Sequence, residues 1–361
     1  MSEKNAQELI VDSPLGQNKL DSTGAPISCV KLDPEDAYAQ IPKLLQKYIN
    51  NNDTSAWAKI TKKINYLYQN VDIALTNLNG KTDFIRKFKS ELSAGKKLLF
   101  KPNLVMPECI DPLTHDEGEN HCICTEWPIF AALMRWFHDR FGINYFQMAV
   151  GEASTCSSMV SYNYSKITGR NITTEAVLEG RSGNFYGGWG FFFVRKYLAE
   201  HHPSSHIDDP MNGYEDSVAG RFIPPGRAGN RLMVYDLNRI QDDWSKGRTI
   251  KVPNGDNYKE ITLHKVIIGG DKNNKDDMSD YPGCILINVP RLKMHAQDLI
   301  TNAIKNLGIG LYPSECAEGK DKDDTSWKYA SPDTTYPTLK AKLPHSRWVL
   351  KMDDQTLPLP Y

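Results

Sequence analysis

Two stretches of this sequence set lysine and asparagine directly after an apolar run: Lys101-Pro102-Asn103 after LLF, and Asn288-Val289-Pro290-Arg291-Leu292-Lys293-Met294-His295 after CILI. At the carboxyl ends of parallel strands, where open α/β sheets hold their ligands, such residues would offer ammonium charge and amide hydrogen bonds to a carboxylate or phosphate. Lys305-Asn306 follows on a predicted helix, with Lys305 set between Ile304 and Leu307 in an otherwise apolar run. Drawing Lys101, Lys293 and Lys305 together would require an anionic ligand or nearby acids to offset their repulsion. His295 titrates in the range suited to proton transfer or metal ligation. Glu152, in Gly151-Glu152-Ala153-Ser154 after another apolar run, is a candidate base or ligand at the same edge. Each residue also has a plainer reading. Lys101 can cap its strand in solvent, Asn103 can hold a turn, Lys305 can snorkel, Gly151-Glu152 can be a polar turn, and a lone histidine is often a structural hydrogen-bonding group.

A second group, Cys109, His115, His121, Cys122 and Cys124, lies in a polar loop and has ligand types suited to a soft or borderline metal. Its spacing is not that of a zinc knuckle, and no four-cysteine ferredoxin run is present. Incidental reduced thiols are the alternative. Gly187-Gly188-Trp189-Gly190 lacks the spacing and the Lys-Ser/Thr pair of a phosphate-binding loop, so it reads as an aromatic turn.

Residues 1–30 form a polar arm, and residues 31–95 a helical region. Asp33, Pro34 and Asp36 make a helix start, after which Ile41, Leu44, Leu45 and Tyr48 keep helical spacing. Trp57, Ile60, Ile64 and Leu67 mark a second helix, and Phe84 to Leu92 a third. From 96 to 312 the pattern is α/β. Leu98 to Phe100 reads as a buried strand, Ile129, Leu133, Trp136 and Phe137 as a helix ended by Gly142, and Tyr145 to Val150 as the next strand. That succession predicts a mainly parallel sheet with flanking helices and Rossmann-like layering. A glycine- and aromatic-rich insertion or lid is expected at about 180–230, with a short buried element at Phe191 to Val194. Leu232 to Tyr235, Val266 to Ile268 and CILINVPRLKMH read as strands, and Asp298 to Leu307 as a helix. Residues 313–361 read as an irregular tail, expected to lead into an extension beyond this chain.

The 361 residues carry 43 Lys+Arg against 44 Asp+Glu, a net charge of −1. That balance argues against a surface built for duplex nucleic acid or anionic membrane. No apolar run approaches the roughly 20 residues of a membrane span, and the start lacks the pattern of an export signal. Seven cysteines make an odd count, unlike the paired framework of a small secreted domain, so a cytoplasmic protein with reduced thiols is expected.

LLFKPNLV, Thr125-Glu126-Trp127-Pro128 opening a helix, MAVGEAS, and INVPRLKMH followed by TNAIKNLGIG together resemble the broad domain-of-unknown-function family 362. The similarity spans about Leu98 to Gly310. It implies an α/β domain, and its motif positions fall on Lys101, Asn103, Thr125, Glu152, Lys293, His295, Lys305 and Asn306. Many members look like iron-sulfur proteins through an added ferredoxin-like cysteine segment; this chain shows no such segment, and it ends in LPLPY without the Asp-Gly region usual in the family. The expectation is an enzyme holding a small anionic substrate through Lys101, Lys293 and Lys305. Asn103, Asn306 and Thr125 would orient the substrate, and His295 and Glu152 would transfer protons in an isomerisation or redox step. One alternative is a metal-binding or iron-sulfur-associated electron-transfer accessory protein using the Cys109 to Cys124 loop. Another is a noncatalytic scaffold whose aromatic insertion engages a protein partner or a second copy of the chain.

Overall fold

The structure is a computed structural model. It describes residues 10–13, 25–104, 124–153, 191–205, 207, 223–237, 244–251, 253, 260–295, 299–301, 303–308, 310–311, 349–352 and 355–358.

After a hairpin of β1 (Ile10–Ser13) and β2 (Ala25–Ser28), four helices build the amino-terminal region: α1 (Pro34–Ala37), α2 (Ile41–Asn51), α3 (Thr54–Thr82) and α4 (Phe84–Ser93). Asp33 caps α1 by accepting from the Glu35 amide, with Pro34 in the first turn as the sequence suggests. Asp53 caps α3 through the Ser55 and Ala56 amides. The apolar stripe of α3, Trp57, Ile60, Ile64, Leu67 and Val71, is buried along the face it turns to the rest of the chain.

The central sheet contains β3 (Lys97–Pro102), β4 (Met148–Glu152), β5 (Met233–Asp236) and β8 (Cys284–Val289), all parallel, in the spatial order β5-β4-β3-β8. Helix α5 (Trp127–Phe141) joins β3 to β4, and α6 (Phe191–His201) lies between β4 and β5. The chain is thus α/β, as its alternation of elements predicts. Both faces of the sheet are buried, which explains the unbroken run LLF. Leu98 and Phe100 join Met148, Val150 and Val234 in a core with α3, α5 and α6, while Leu99 joins Ala149, Met233 and Tyr235 on the other face. Phe100 meets Phe130 and Phe137 of α5 edge-on, with ring centroids 5.5 Å apart in each pair.

The two faces are covered differently. The first carries long helices. The second carries α7 (Lys265–Ile268), α9 (Ala303–Gly308) and irregular chain, with α8 (Lys275–Asp280) nearby and Val266, Tyr281 and Leu311 as buried anchors. Beside them stand the antiparallel pairs β6 (Gly247–Lys251) with β7 (Glu260–His264) and β9 (Lys293–His295) with β10 (Leu299–Thr301); a further antiparallel pair joins β11 (Val349–Met352) to β12 (Gln355–Pro358).

Several local expectations are corrected. Tyr145–Gln147 is a 3-10 turn, and β4 starts only at Met148. Val266 to Ile268 is not a strand but part of α7, whose start is capped by the His264 ring accepting from the Val266 amide at 3.1 Å. Phe191 to Val194 opens an 11-residue helix, α6, inside the stretch expected to form a surface insertion; Phe191, Phe193, Val194, Tyr197 and Leu198 are fully buried core residues. Asp298 to Leu307 is not one helix, because Leu299–Thr301 pairs with Lys293–His295 before α9 begins. Residues 180–190, 206 and 208–222 of the expected insertion, most of the 313–361 tail and most of the 1–30 arm lie outside the described residues.

Candidate functional site

The chain runs β3, β4, β5 outward in one direction, then returns to place β8 on the other side of β3. The connections out of β3 and β8 therefore diverge, and the carboxyl ends of these two strands form a topological switch point, where open parallel sheets place ligands. Lys101-Pro102-Asn103 and Asn288 lie there because Lys101 pairs with Asn288 and Pro102 with Val289 in the sheet register.

Lys101 is fully buried, and its ammonium points inward. It donates to Glu152 Oε2 at 2.6 Å, to the Pro102 carbonyl at 2.6 Å and to Asn306 Oδ1 at 2.9 Å, one acceptor for each proton. Glu152, 3% exposed, accepts in addition from the Leu104 amide at 2.9 Å and, through Oε1, from the Ala153 amide at 3.0 Å. Burial lowers the Lys101 pKa, and the adjacent Glu152 carboxylate opposes that shift. Asn306 on α9 extends the network, its Nδ2 donating to Asn288 Oδ1 at 2.7 Å and to the Lys101 carbonyl at 3.3 Å. Asn288 in turn donates to the Ala303 carbonyl at 3.0 Å. Gly310 closes over Lys101: a Cβ there would stand 2.7 Å from Nζ and 2.4 Å from the Asn306 carbonyl oxygen. Its own carbonyl accepts from the Ala153 amide at 3.1 Å.

Thr125 stitches the start of α5 to both strands. Its hydroxyl accepts from the Asn103 amide at 2.8 Å and donates to the Val289 carbonyl at 2.7 Å, while its own amide donates to the Asn103 carbonyl at 2.9 Å. Cys124, just before it, is buried and in no disulfide among the described residues. Lys293, at the start of β9, is half-buried, with its ammonium 3.5 Å from Asn103 Oδ1.

Of the residues singled out from sequence, Lys101, Asn103, Thr125, Glu152, Lys293 and Asn306 converge here. His295 lies on β9 two residues beyond Lys293, and Lys305 lies on α9 beside Asn306, but their side chains are outside the described residues. Cys109, His115, His121 and Cys122 are likewise outside.

Sequence reasoning missed two features. Glu126, the residue before α5, faces Arg291 of the β8–β9 connection at 3.6 Å, and burial pushes its carboxyl up to about 7 against the pull of that guanidinium. Its signal was an acid directly before Trp-Pro at a helix start. The second feature is at the other edge of the sheet, where His138, Asp139 and His202 each offer a metal-ligand atom, all within 4.8 Å of one another. His138 and Asp139 are neighbours in the sequence, but nothing there points to His202. Among the described residues, no helix is long and apolar enough to cross a membrane.

No family model, curated protein or solved structure matches the chain.

Proposed function

We propose that this chain is a cytoplasmic enzyme that binds a small anionic substrate over the β3/β8 switch point, with Lys293 as the cation that meets it. The observation carrying this reading is the convergence of six polar residues from β3, β4, α5, β9 and α9 on the carboxyl ends of two strands whose connections diverge. Lys101 and Glu152 take positioning roles. With all three ammonium protons committed to protein acceptors, Lys101 organises the backbone and amides around it instead of reaching outward. Lys293 sits on the half-buried rim beside Asn103, where a carboxylate or phosphate could approach both.

Proton transfer falls to His295, on the same strand as Lys293, and to Glu126, whose raised pKa matches acid-base work near neutrality. Isomerisation by proton transfer needs only the groups named here. The resemblance to family 362 falls on the same residues, and Lys305 belongs to the same reading as a second cation.

The test is a panel of small carboxylates, inorganic phosphate and phosphorylated metabolites, read by thermal shift and titration calorimetry on the wild type and on Lys293→Ala. At least one anion should stabilise the wild type, and the response should be lost in a variant that keeps the wild-type circular dichroism spectrum. A response unchanged in Lys293→Ala, or no response in the wild type, overturns the assignment.

A further inference from the structure

We propose that His138, Asp139 and His202 form a binding site for one divalent transition-metal ion, zinc being the ion that best matches the set. The site is separate from the anion site. Helix α5 leaves the carboxyl edge of the sheet at Thr125 and ends beside the start of β4, so His138 and Asp139 in its last turn lie at the amino edge. His202 follows the end of α6 and is tied there by its amide donating to the Leu198 carbonyl at 2.9 Å.

Three observations carry the proposal. First, the ligand types are right: two imidazoles and one carboxylate with mutually close ligand atoms form the three-residue set of open zinc sites, which leave a fourth position for water. Second, each of the three is held from behind. His138 Nδ1 lies 2.9 Å from the Ile143 carbonyl, which fixes the proton there and leaves Nε2 for a metal. His202 Nδ1 lies 2.8 Å from the Tyr145 hydroxyl, leaving Nε2, which stands 2.9 Å from Asp139 Oδ1. Asp139 Oδ2 accepts from the Tyr68 hydroxyl at 2.8 Å and from Arg135 Nε at 3.3 Å, so Oδ1 is the oxygen turned to His202. This pattern of outer partners orients imidazoles and carboxylates around metals. Third, two helices bring their carboxyl-terminal ends to the cluster, and those ends carry the partial negative charge that favours a cation.

The His138 and His202 rings lie 4.1 Å apart between centroids, inclined at 60°, and the side chains of His202 and Asp139 each remain 22% exposed, so an ion can enter from solvent. Among the described residues, Arg135 is the one arginine or lysine paired with the carboxylate. It engages the outer oxygen and also faces Asn65, Tyr197 and the Tyr68 ring. Metal binding at Nε2 would shift the His202 proton to Nδ1, where the Tyr145 hydroxyl 2.8 Å away can accept its hydrogen bond.

The experiment uses the full chain, stripped with a chelator and titrated with zinc chloride by calorimetry. Cobalt(II) absorption reports the geometry. One equivalent should bind in the micromolar range or tighter, with cobalt bands of tetrahedral intensity and with a rise in melting temperature. His138→Ala and the near-isosteric Asp139→Asn, each checked for a folded circular dichroism spectrum, should lose all three signals. No binding by the wild type would overturn the proposal. So would metal retained by both variants but lost on joint replacement of Cys122 and Cys124 by serine, because that result assigns the ion to the cysteine loop.

Discussion

Replacing Lys101 by methionine removes a charge that has no contact with solvent and leaves its partner behind. Glu152 would keep the Leu104 and Ala153 amides as donors but lose the ammonium 2.6 Å away, while Asn306 Oδ1 and the Pro102 carbonyl would each lose a donor. Breaking a buried pair from one side costs about 3–5 kcal/mol, because the remaining charge is uncompensated. The two stranded acceptors place the Lys101→Met cost at the upper end of that range. Glu152→Gln strands the ammonium instead and should cost about 3 kcal/mol, since the new amide oxygen can still accept from Nζ. The double variant buries no net charge. Its cost should fall below the sum of the two single costs by about 2–3 kcal/mol. Urea unfolding followed by far-ultraviolet circular dichroism, with tryptophan emission as a second probe, yields the whole cycle. A Lys101→Met cost under about 1 kcal/mol, or single costs that simply add, would show that the pair is solvated and would refute the assignment of Lys101 to the interior.

Gly310→Ala should destabilise by about 1–3 kcal/mol, because its Cβ would press on the Asn306 carbonyl oxygen and Lys101 Nζ, and a melting point within error of the wild type would place Gly310 elsewhere. Glu126 gives a pH signature. With its folded pKa at about 7 and its unfolded pKa near the ordinary carboxylate value, the folded state binds the proton more tightly, so this group stabilises the fold fully below the unfolded value and loses that contribution as pH rises through 7. The contribution is about 3 kcal/mol, and Glu126→Gln should flatten the stability profile between acid and neutral pH; an unchanged profile rules out Glu126 as its source.

The α/β class was legible because the sheet is buried on both faces and its strands are short apolar runs separated by amphipathic helices. Leu98 to Phe100 and CILINV could hardly be anything else. The misreadings have specific physical causes. In α6, Phe191, Phe193, Val194, Tyr197 and Leu198 all meet the core, so the helix has too little polar surface to show a clear period. Lys265–Ile268 looks like a strand because β-branched residues favour one, yet the His264 cap and its place against the sheet hold a single helical turn. Leu299 and Ile300 keep helical spacing with Ala303 and Ile304, but pairing with β9 captures the first three residues of that stretch. At the site, the lysines and asparagines were legible as strand-end residues. The direction of the Lys101 side chain was not, because it depends on Gly310, on Asn306 and on Glu152 of the neighbouring strand.

That direction decides how the site divides its work. A buried salt bridge is a poor source of stability, since well-packed apolar side chains of similar volume commonly do as well or better. The Lys101 and Glu152 pair is better understood by what it connects. Lys101 and Glu152 together bind β3, β4, the Leu104 amide and α9, and Asn306 carries the link to Asn288 at the end of β8. Three described segments are thus fixed to one internal ion pair: Asn103 directly beyond β3, α9 with Asn306, and the end of β8 at Asn288. A cation reaching a substrate through a flexible stem gains most when its backbone is already held, because less freedom is lost on binding. Lysines of one sequence pattern therefore stand in different settings: Lys101 holds the edge together from within, while Lys293 lies half-buried at its rim, 3.5 Å from Asn103 Oδ1.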